Sequence, residues 1–119
     1  MSKPVGPYTP IVSAGDFLIV SGQVGLSPEG LVPGGLGPEL RQAMSNLRGH
    51  IERAGASMDQ VVKTTVFLIE MDDYAEMNDI YCECFGDHRP ARSAVAVAAL
   101  PIGARVEVEA WIYAPNQAG

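Results

Sequence analysis

The chain has 119 residues, of which 47% are hydrophobic and 18% are charged, and its formal net charge is −6 at pH 7. This length favours a single domain that spans residues 1–119, and the apolar content argues against a disordered chain. The acidic charge and the scatter of the eight lysines and arginines disfavour nucleic acid as a partner, since phosphate-backbone binding relies on clustered basic side chains.

Two strands and a long helix are predicted for the first half of the chain. Residues 9–14 and 17–23 are apolar runs joined by a glycine turn, which is typical of a β-hairpin. Residues 25–38 hold five of the thirteen glycines and three of the nine prolines, which indicates a loop. A helix follows Pro38 and ends at Gly55, and its apolar face consists of Leu40, Ala43, Met44, Leu47, Ile51 and Ala54.

A third strand and a second helix are predicted next. Residues 61–69 are rich in β-branched side chains, which favour strands. Asp73 and Glu76 have the spacing of a capping box, in which two side chains satisfy free N–H groups at a helix start. The apolar face of this helix consists of Tyr74, Met77, Tyr81, Cys84 and Phe85.

Two strands complete the chain. Residues 91–99 follow a loop over residues 86–90, and residues 105–113 alternate between apolar and polar side chains. In the first strand, one face carries Ser93, Val95 and Val97, and the other carries Arg92, Ala94, Ala96 and Ala98. In the second strand, one face carries Val106, Val108, Ala110 and Ile112, and the other carries Arg105, Glu107, Glu109, Trp111 and Tyr113.

The element order β-β-α-β-α-β-β predicts an α+β fold, with a single sheet and two helices packed on one face. The other face of the sheet then lacks a cover from the chain itself. Either water or another subunit covers it, and we expect a subunit, because a chain this small and apolar often gains stability by association. On this uncovered face we expect Arg92, Glu107 and Glu109.

Arg92 is the first candidate for a functional residue. A guanidinium is always charged and forked, so it matches a carboxylate through two parallel hydrogen bonds. The alanines on the same face of its strand leave room for a ligand. A structural ion pair with Glu107 or Glu109 is the alternative, and the residue pattern leaves both open.

Glu107 and Glu109 are candidates for acid–base chemistry, because side chains two positions apart on a strand share one face. A carboxylate there can orient a water molecule or accept a proton. A solvated charged face is the alternative, and spacing alone favours it. A carboxylate beside Arg92 would stay ionised, which suits a base.

Four further residues are weaker candidates. Tyr8 follows a rigid Gly-Pro turn, and its phenol could close a pocket. Ser21 and Gly22 end a strand and could present backbone N–H groups to a ligand. Asn78 lies within a helix beside Met77, where a buried amide needs a partner. For each of them the residue pattern favours a purely structural role.

The sequence carries no pattern for a metal or an organic cofactor. His50 and His88 are far apart and lack partners at the spacing of a zinc or iron site. Cys82 and Cys84 lie two positions apart in a helix, where a mutual disulfide is not expected. With no secretory leader and no apolar segment near the ~20 residues that span a bilayer, we expect a cytoplasmic protein without a membrane partner.

Short motifs along nearly the whole chain make the sequence resemble the Rid family, also called YjgF/RidA, of reactive-intermediate (enamine/imine) deaminases. Each motif alone is weak, but the ordered set is specific. The motifs are Gly6-Pro7-Tyr8, Ser21-Gly22-Gln23, Asn46-Leu47, Ala54-Gly55, the run from Val61 to Phe67, Asn78 with Tyr81 and Phe85, Pro90-Ala91-Arg92-Ser93, Leu100-Pro101 and Val106-Glu107-Val108-Glu109.

The resemblance implies a chorismate-mutase-like fold and a homotrimer with active sites in the clefts between subunits. It also implies hydrolysis of small 2-imino acids and their enamine tautomers, such as 2-aminoacrylate, to 2-keto acids and ammonia without a cofactor. The alternative is a module that binds or senses a small carboxylate in the same cleft without turnover. A nuclease is a third reading, which the acidic charge disfavours.

The resemblance also implies a role for particular residues. Many members have a cysteine where this chain has Ala94, so its backbone is expected to serve the pocket and no thiol is expected in the chemistry. The loop before Pro90 looks shorter than in typical members, and we expect it to widen the pocket or to change the substrate range. The carboxylate-binding arginine falls on Arg92, the water-positioning glutamate on Glu107, the pocket tyrosine on Tyr8, the strand-end serine and glycine on Ser21 and Gly22, and the helix asparagine on Asn78.

Overall fold

Seven strands and two α-helices form the regular structure of residues 6–115, the part of the chain that this computed structural model describes. Short 3-10 turns connect several of them. The elements are β1 (Ile11–Ala14), β2 (Phe17–Gln23), β3 (Leu26–Ser27), β4 (Gly30–Leu31), α1 (Leu36–Arg53), β5 (Val61–Leu68), α2 (Tyr74–Phe85), β6 (Ala91–Ala96) and β7 (Val106–Tyr113).

Five of the strands form one mixed sheet in the order β1-β2-β7-β5-β6. All neighbours in it are antiparallel except β5 and β6, which are parallel and are connected through α2. Both helices pack on the same side of this sheet. The predicted α+β class, with two helices on one face, is confirmed.

The core lies between the helices and one side of the sheet, called here the helix face. β7 is central and strictly alternating, and its four inward side chains are fully buried. Each fully buried aliphatic side chain stabilises the fold by about 1.5–3 kcal/mol relative to an exposed one. The helix face consists of Leu18, Val20, Thr64, Val66, Leu68, Val106, Val108, Ala110 and Ile112.

The opposite side of the sheet, called here the open face, has no cover among residues 6–115. Its apolar side chains remain substantially exposed, with 47% of Val12, 42% of Val95, 43% of Trp111 and 45% of Tyr113 accessible. The ring of Phe17 packs against Trp111 and Tyr113 without covering them. Val12 and Trp111 are neighbours through Ile19 in the strand register, and Tyr113 lies beside them opposite Phe17. An exposed apolar patch of this kind marks an association site.

The region predicted as a loop, residues 25–38, holds more structure than its glycines and prolines indicate. It contains the β3–β4 hairpin, and α1 begins at Leu36, before the proline expected to start it. The side-chain amide of Asn46 on α1 holds the hairpin by donating to the carbonyls of Val24, at 3.2 Å, and Leu26, at 2.9 Å. These long-range bonds could not be predicted from local composition.

The predicted capping box at the start of α2 is absent. Asp73 precedes the helix but makes no side-chain capping bond, and its carboxylate instead pairs with the guanidinium of Arg105 at 3.0 Å. The backbone N–H of Arg105 donates to the buried carboxylate of Glu39 on α1 at 2.8 Å. Arg105 therefore links the start of β7 to the first turns of both helices.

The cysteines are free thiols, and both are partly buried on α2. Within residues 6–115, no helix has the length and apolar character needed to cross a membrane. In the same part of the chain, no three histidine, cysteine or acidic side chains are grouped so that they could hold a metal ion.

Candidate active site in two halves

Arg92 lies on β6, the edge strand, and faces α2. The strand register pairs Arg92 with Thr64 of β5, and Thr64 with Ala110 of β7. Paired residues share a face of the sheet, and both of these partners are buried under the helices. The prediction that Arg92 shares the uncovered face with Glu107 is therefore wrong. Both sides of an edge strand carry partly exposed side chains, so the alternation of alanine and valine did not identify its inner side.

The guanidinium of Arg92 lies in an aromatic setting provided by α2. Its Nη2 donates to the hydroxyl of Tyr74 at 3.0 Å, and its Nη1 lies 3.7 Å from the sulfur of Met77. Its central carbon lies 4.9 Å from the ring centre of Tyr81 and 5.5 Å from that of Tyr74. The cation–π geometry on two rings favours the charged side chain in this partly dry environment.

No carboxylate pairs with Arg92 among residues 6–115. The predicted alternative of an ion pair with Glu107 or Glu109 therefore does not occur in the described part of the chain. A guanidinium has five N–H donors, and the contacts with Tyr74 and Met77 involve two of them. The remaining donors suit the two oxygens of a carboxylate ligand.

Glu107 lies on the open face of β7, opposite Phe67 of β5. Its carboxylate passes directly over Gly22 of β2, where a Cβ would come within 2.6 Å of the carboxyl carbon. Only glycine at position 22 leaves space for the Glu107 side chain. The reason is this close approach, and not a backbone conformation that only glycine adopts.

The pKa of Glu107 is raised, first by burial and second by the negative charge of Glu109. The sequence-based expectation was the opposite, because it placed Arg92 beside this carboxylate. A raised pKa makes the ionised Glu107 a stronger base than a free glutamate, and this strengthens the case for proton transfer.

Ser21 precedes Gly22 in β2 and holds the segment that carries Tyr8. The Ser21 hydroxyl donates to the carbonyls of Pro10, at 3.0 Å, and Thr9, at 3.3 Å. The Ser21 N–H also bonds to Pro10, so it is not the free ligand donor that the sequence suggested. Ser21 therefore fixes the segment before β1, which carries the exposed side chain of Tyr8, against β2.

Asn78 and Ala94 belong to the same side as Arg92. Asn78 lies one turn after Tyr74 on α2, and its Oδ1 is buried without a hydrogen-bond partner among residues 6–115. The sequence required a partner for this amide, and the described part of the chain does not supply one. Ala94 follows Arg92 on the helix face and packs partly against the core.

The predicted site residues thus form two separate groups within one chain. β5 lies between the strands of Arg92 and Glu107, so the two strands are about 10 Å apart, and the two side chains project from opposite faces. One small ligand cannot contact both within a single chain. The arginine half consists of Arg92, Tyr74, Met77, Asn78, Tyr81 and Ala94, and the glutamate half consists of Glu107, Gly22, Ser21 and Tyr8.

Comparison with known proteins decides the family. Residues 1–114 match the family described as Endoribonuclease L-PSP, which is the YjgF/RidA family. The chain belongs to the YjgF/RidA family. A mouse (Mus musculus) member, named 2-iminobutanoate/2-iminopropanoate deaminase, is 47% identical over 108 residues, which cover 89% of this chain and 80% of the mouse protein.

Solved structures of YjgF/RidA proteins have the same fold as this chain. RidA from the Antarctic bacterium Psychrobacter sp. PAMC 21119 has a TM-score of 0.89 at 37% identity, covering 93% of this chain and 91% of the other. TdcF of E. coli, solved with bound serine, has a TM-score of 0.87 at 32% identity, covering 92% of this chain and 90% of TdcF.

The arginine half contains residues that the sequence did not single out as functional. Tyr74, Met77 and Tyr81 were interpreted as the apolar face of a helix, and Met77 and Tyr81 are indeed buried. A general signal was present, because arginine is the cation that is more often found over aromatic rings in proteins. The helix that carries such rings could not be identified before the β5–β6 pairing was known.

Proposed function

We propose that this YjgF/RidA chain hydrolyses small 2-imino acids and their enamine tautomers, such as 2-aminoacrylate, to 2-keto acids and ammonia. The observation that carries the proposal is the environment of Arg92. This partly buried arginine packs against tyrosine rings and forms no ion pair with a carboxylate among residues 6–115. The name of the mouse relative supports the same reaction. The free thiols of Cys82 and Cys84 suit a reducing cytoplasm as its location.

The active site is proposed to form between chains of a homotrimer. Since Arg92 and Glu107 lie on opposite faces of one sheet, a ligand that contacts both must lie between two copies of the chain. The open face supplies a reason to associate, because its exposed apolar side chains include Val95 and Trp111. Each cleft then combines the arginine half of one subunit with the glutamate half of the next.

The reaction needs an anchored substrate and an activated water molecule. Arg92 binds the substrate carboxylate through two N–H donors and fixes the imine carbon in the cleft. The imine reacts in its protonated form: Glu107 accepts a proton from water as the water oxygen bonds to the imine carbon, which gives a neutral carbinolamine. Glu107 then returns this proton to the nitrogen and takes the hydroxyl proton as the C=O bond forms and the C–N bond breaks, so that ammonia and the 2-keto acid leave.

Turnover is tested with an imine generated continuously by an amino-acid oxidase in the presence of a nucleophile that traps free imine. Purified protein is expected to lower the yield of trapped imine and to raise that of keto acid in proportion to its concentration. Heat-denatured protein serves as the control. Equal yields of trapped imine with native and denatured protein would contradict the proposal.

A non-catalytic carboxylate-binding module is the second candidate. The structure of TdcF with bound serine favours it, because that relative holds a small amino acid, which has a carboxylate but no imine. It predicts saturable binding of a 2-keto acid by the native protein with no change in trapped imine. The family description also names an endoribonuclease, but the net charge of −6 is a poor match for RNA.

Gly22→Ala is expected to lower kcat/KM for the imine by roughly 10-fold or more, because the added Cβ displaces the Glu107 carboxylate and misplaced catalytic groups are this costly. Gly49→Ala is the matched control, since it lies within α1 and a Cβ there meets only the flexible end of Arg53. Initial rates of keto-acid formation measure the difference. Unchanged kinetics in Gly22→Ala would contradict the role of Glu107 as the proton acceptor.

A further inference from the structure

Tyr74 holds a position for which the proposed reaction has so far given no role. It is the first residue of α2, is 40% exposed, and reaches across to β6 with its hydroxyl 3.0 Å from Nη2 of Arg92. No other side-chain hydrogen bond involves this hydroxyl among residues 6–115. Within that part of the chain, Arg92 is therefore the one side-chain partner of the Tyr74 hydroxyl.

The two tyrosines beside Arg92 differ in what they can do. Tyr81 is buried, its hydroxyl pairs with Thr64 at 2.8 Å, and its ring forms a fixed surface under the guanidinium. A cation on a ring is attracted to the face as a whole, so this contact leaves the guanidinium free to turn in its own plane. The hydrogen bond from Nη2 to Tyr74 is directional and removes that freedom.

We propose that Tyr74 is a positioning residue that orients Arg92 for the substrate carboxylate. The inference rests on the proposed function, because it gives Tyr74 a role only if Arg92 anchors substrate. By accepting one N–H of Nη2, Tyr74 fixes the plane of the fork and leaves other donors for the two carboxylate oxygens. An anchor oriented before binding loses less conformational freedom when the ligand arrives.

Tyr74→Phe removes the hydroxyl and keeps the ring, which makes it the sharpest test. Calorimetry with 2-oxobutanoate, a stable 2-keto acid, is expected to show binding weakened roughly 3- to 10-fold, the size expected for a lost hydrogen bond to a charged group that acts indirectly. KM for the imine should rise by a similar factor, with kcat within about twofold. The neutral amide of 2-oxobutanoate should bind wild type and variant equally, since it carries no charge to pair with Arg92.

A double-mutant cycle completes the test: in the Arg92→Ala background, Tyr74→Phe should produce no further loss. If Tyr74→Phe binds the keto acid as tightly as wild type while Arg92→Ala does not, this inference fails and the proposed function stands. If Arg92→Ala also binds normally, both fail. Equal weakening of the keto acid and its amide would indicate a damaged pocket and would overturn the role of Tyr74.

Discussion

Arg92→Ala is expected to lower kcat/KM for imine hydrolysis by about 100-fold or more, because a bidentate, charge-assisted anchor and the orientation it imposes are lost together. Binding of a 2-keto acid should weaken in parallel, since substrate and product share the carboxylate. The stability of the fold should change little. Arg92 makes no ion pair among residues 6–115, and it lies at the edge of the core.

Two companion variants make the Arg92 result specific. Arg48→Ala removes an exposed arginine of α1 whose one side-chain hydrogen bond among residues 6–115 is to the carbonyl of Cys84, and it should retain wild-type kinetics. Arg92→Lys keeps the charge but loses the planar fork, so it should recover only part of the activity. Turnover within twofold of wild type in Arg92→Ala would contradict the anchoring role and with it the proposed reaction.

The sequence was a good guide to elements whose burial pattern is complete. β7 alternates without a break because it is central and covered on one side, and α1 shows a full apolar stripe. The guide failed where structure depends on distant contacts. The β3–β4 hairpin is held by Asn46, and Asp73 pairs with Arg105 in preference to capping α2, and neither partner could be known from local spacing.

The candidate site was predictable in its residues but not in its arrangement. Matching family motifs drew attention to Arg92 and Glu107, yet period-two alternation gives only relative faces within each strand. Which face of β6 meets the helices depends on its register with β5, which the sequence does not reveal. The role of Tyr74 could not be predicted for the same reason, because its contact with Arg92 depends on how α2 packs over β5 and β6.

Glu107→Gln is expected to lower kcat by roughly 10²- to 10⁴-fold, the usual contribution of a general base, while keto-acid binding stays near wild type. The amide has the same shape, so it still fits over Gly22. Because burial raises the pKa of Glu107, the folded chain binds its proton more tightly than the unfolded chain, and ionisation lowers stability as pH rises through that pKa. The variant should therefore be at least as stable as wild type at neutral pH.

Glu109→Gln is the control for charge on the same face. This variant should keep most of the activity. The acid limb of its pH–activity profile should move to lower pH, because the negative charge of Glu109 helps to raise the pKa of Glu107. A thermal melt between pH 4 and pH 8 compares the stability of the three proteins. If Glu107→Gln retains full kcat, the proton acceptor lies elsewhere.

The strongest consequence of the geometry concerns mixtures of the two inactive chains. Suppose that each cleft takes Arg92 from one subunit and Glu107 from the next. A mixed trimer then has one complete cleft of three, whether it contains two Arg92→Ala chains and one Glu107→Gln chain or the reverse. Trimers purified through two different tags should therefore show about one third of wild-type turnover, although each variant alone is nearly inactive. Activity no higher than that of the separate variants would contradict the division of the site between chains, because a cleft with one intact Arg92 and one intact Glu107 would then not suffice for turnover.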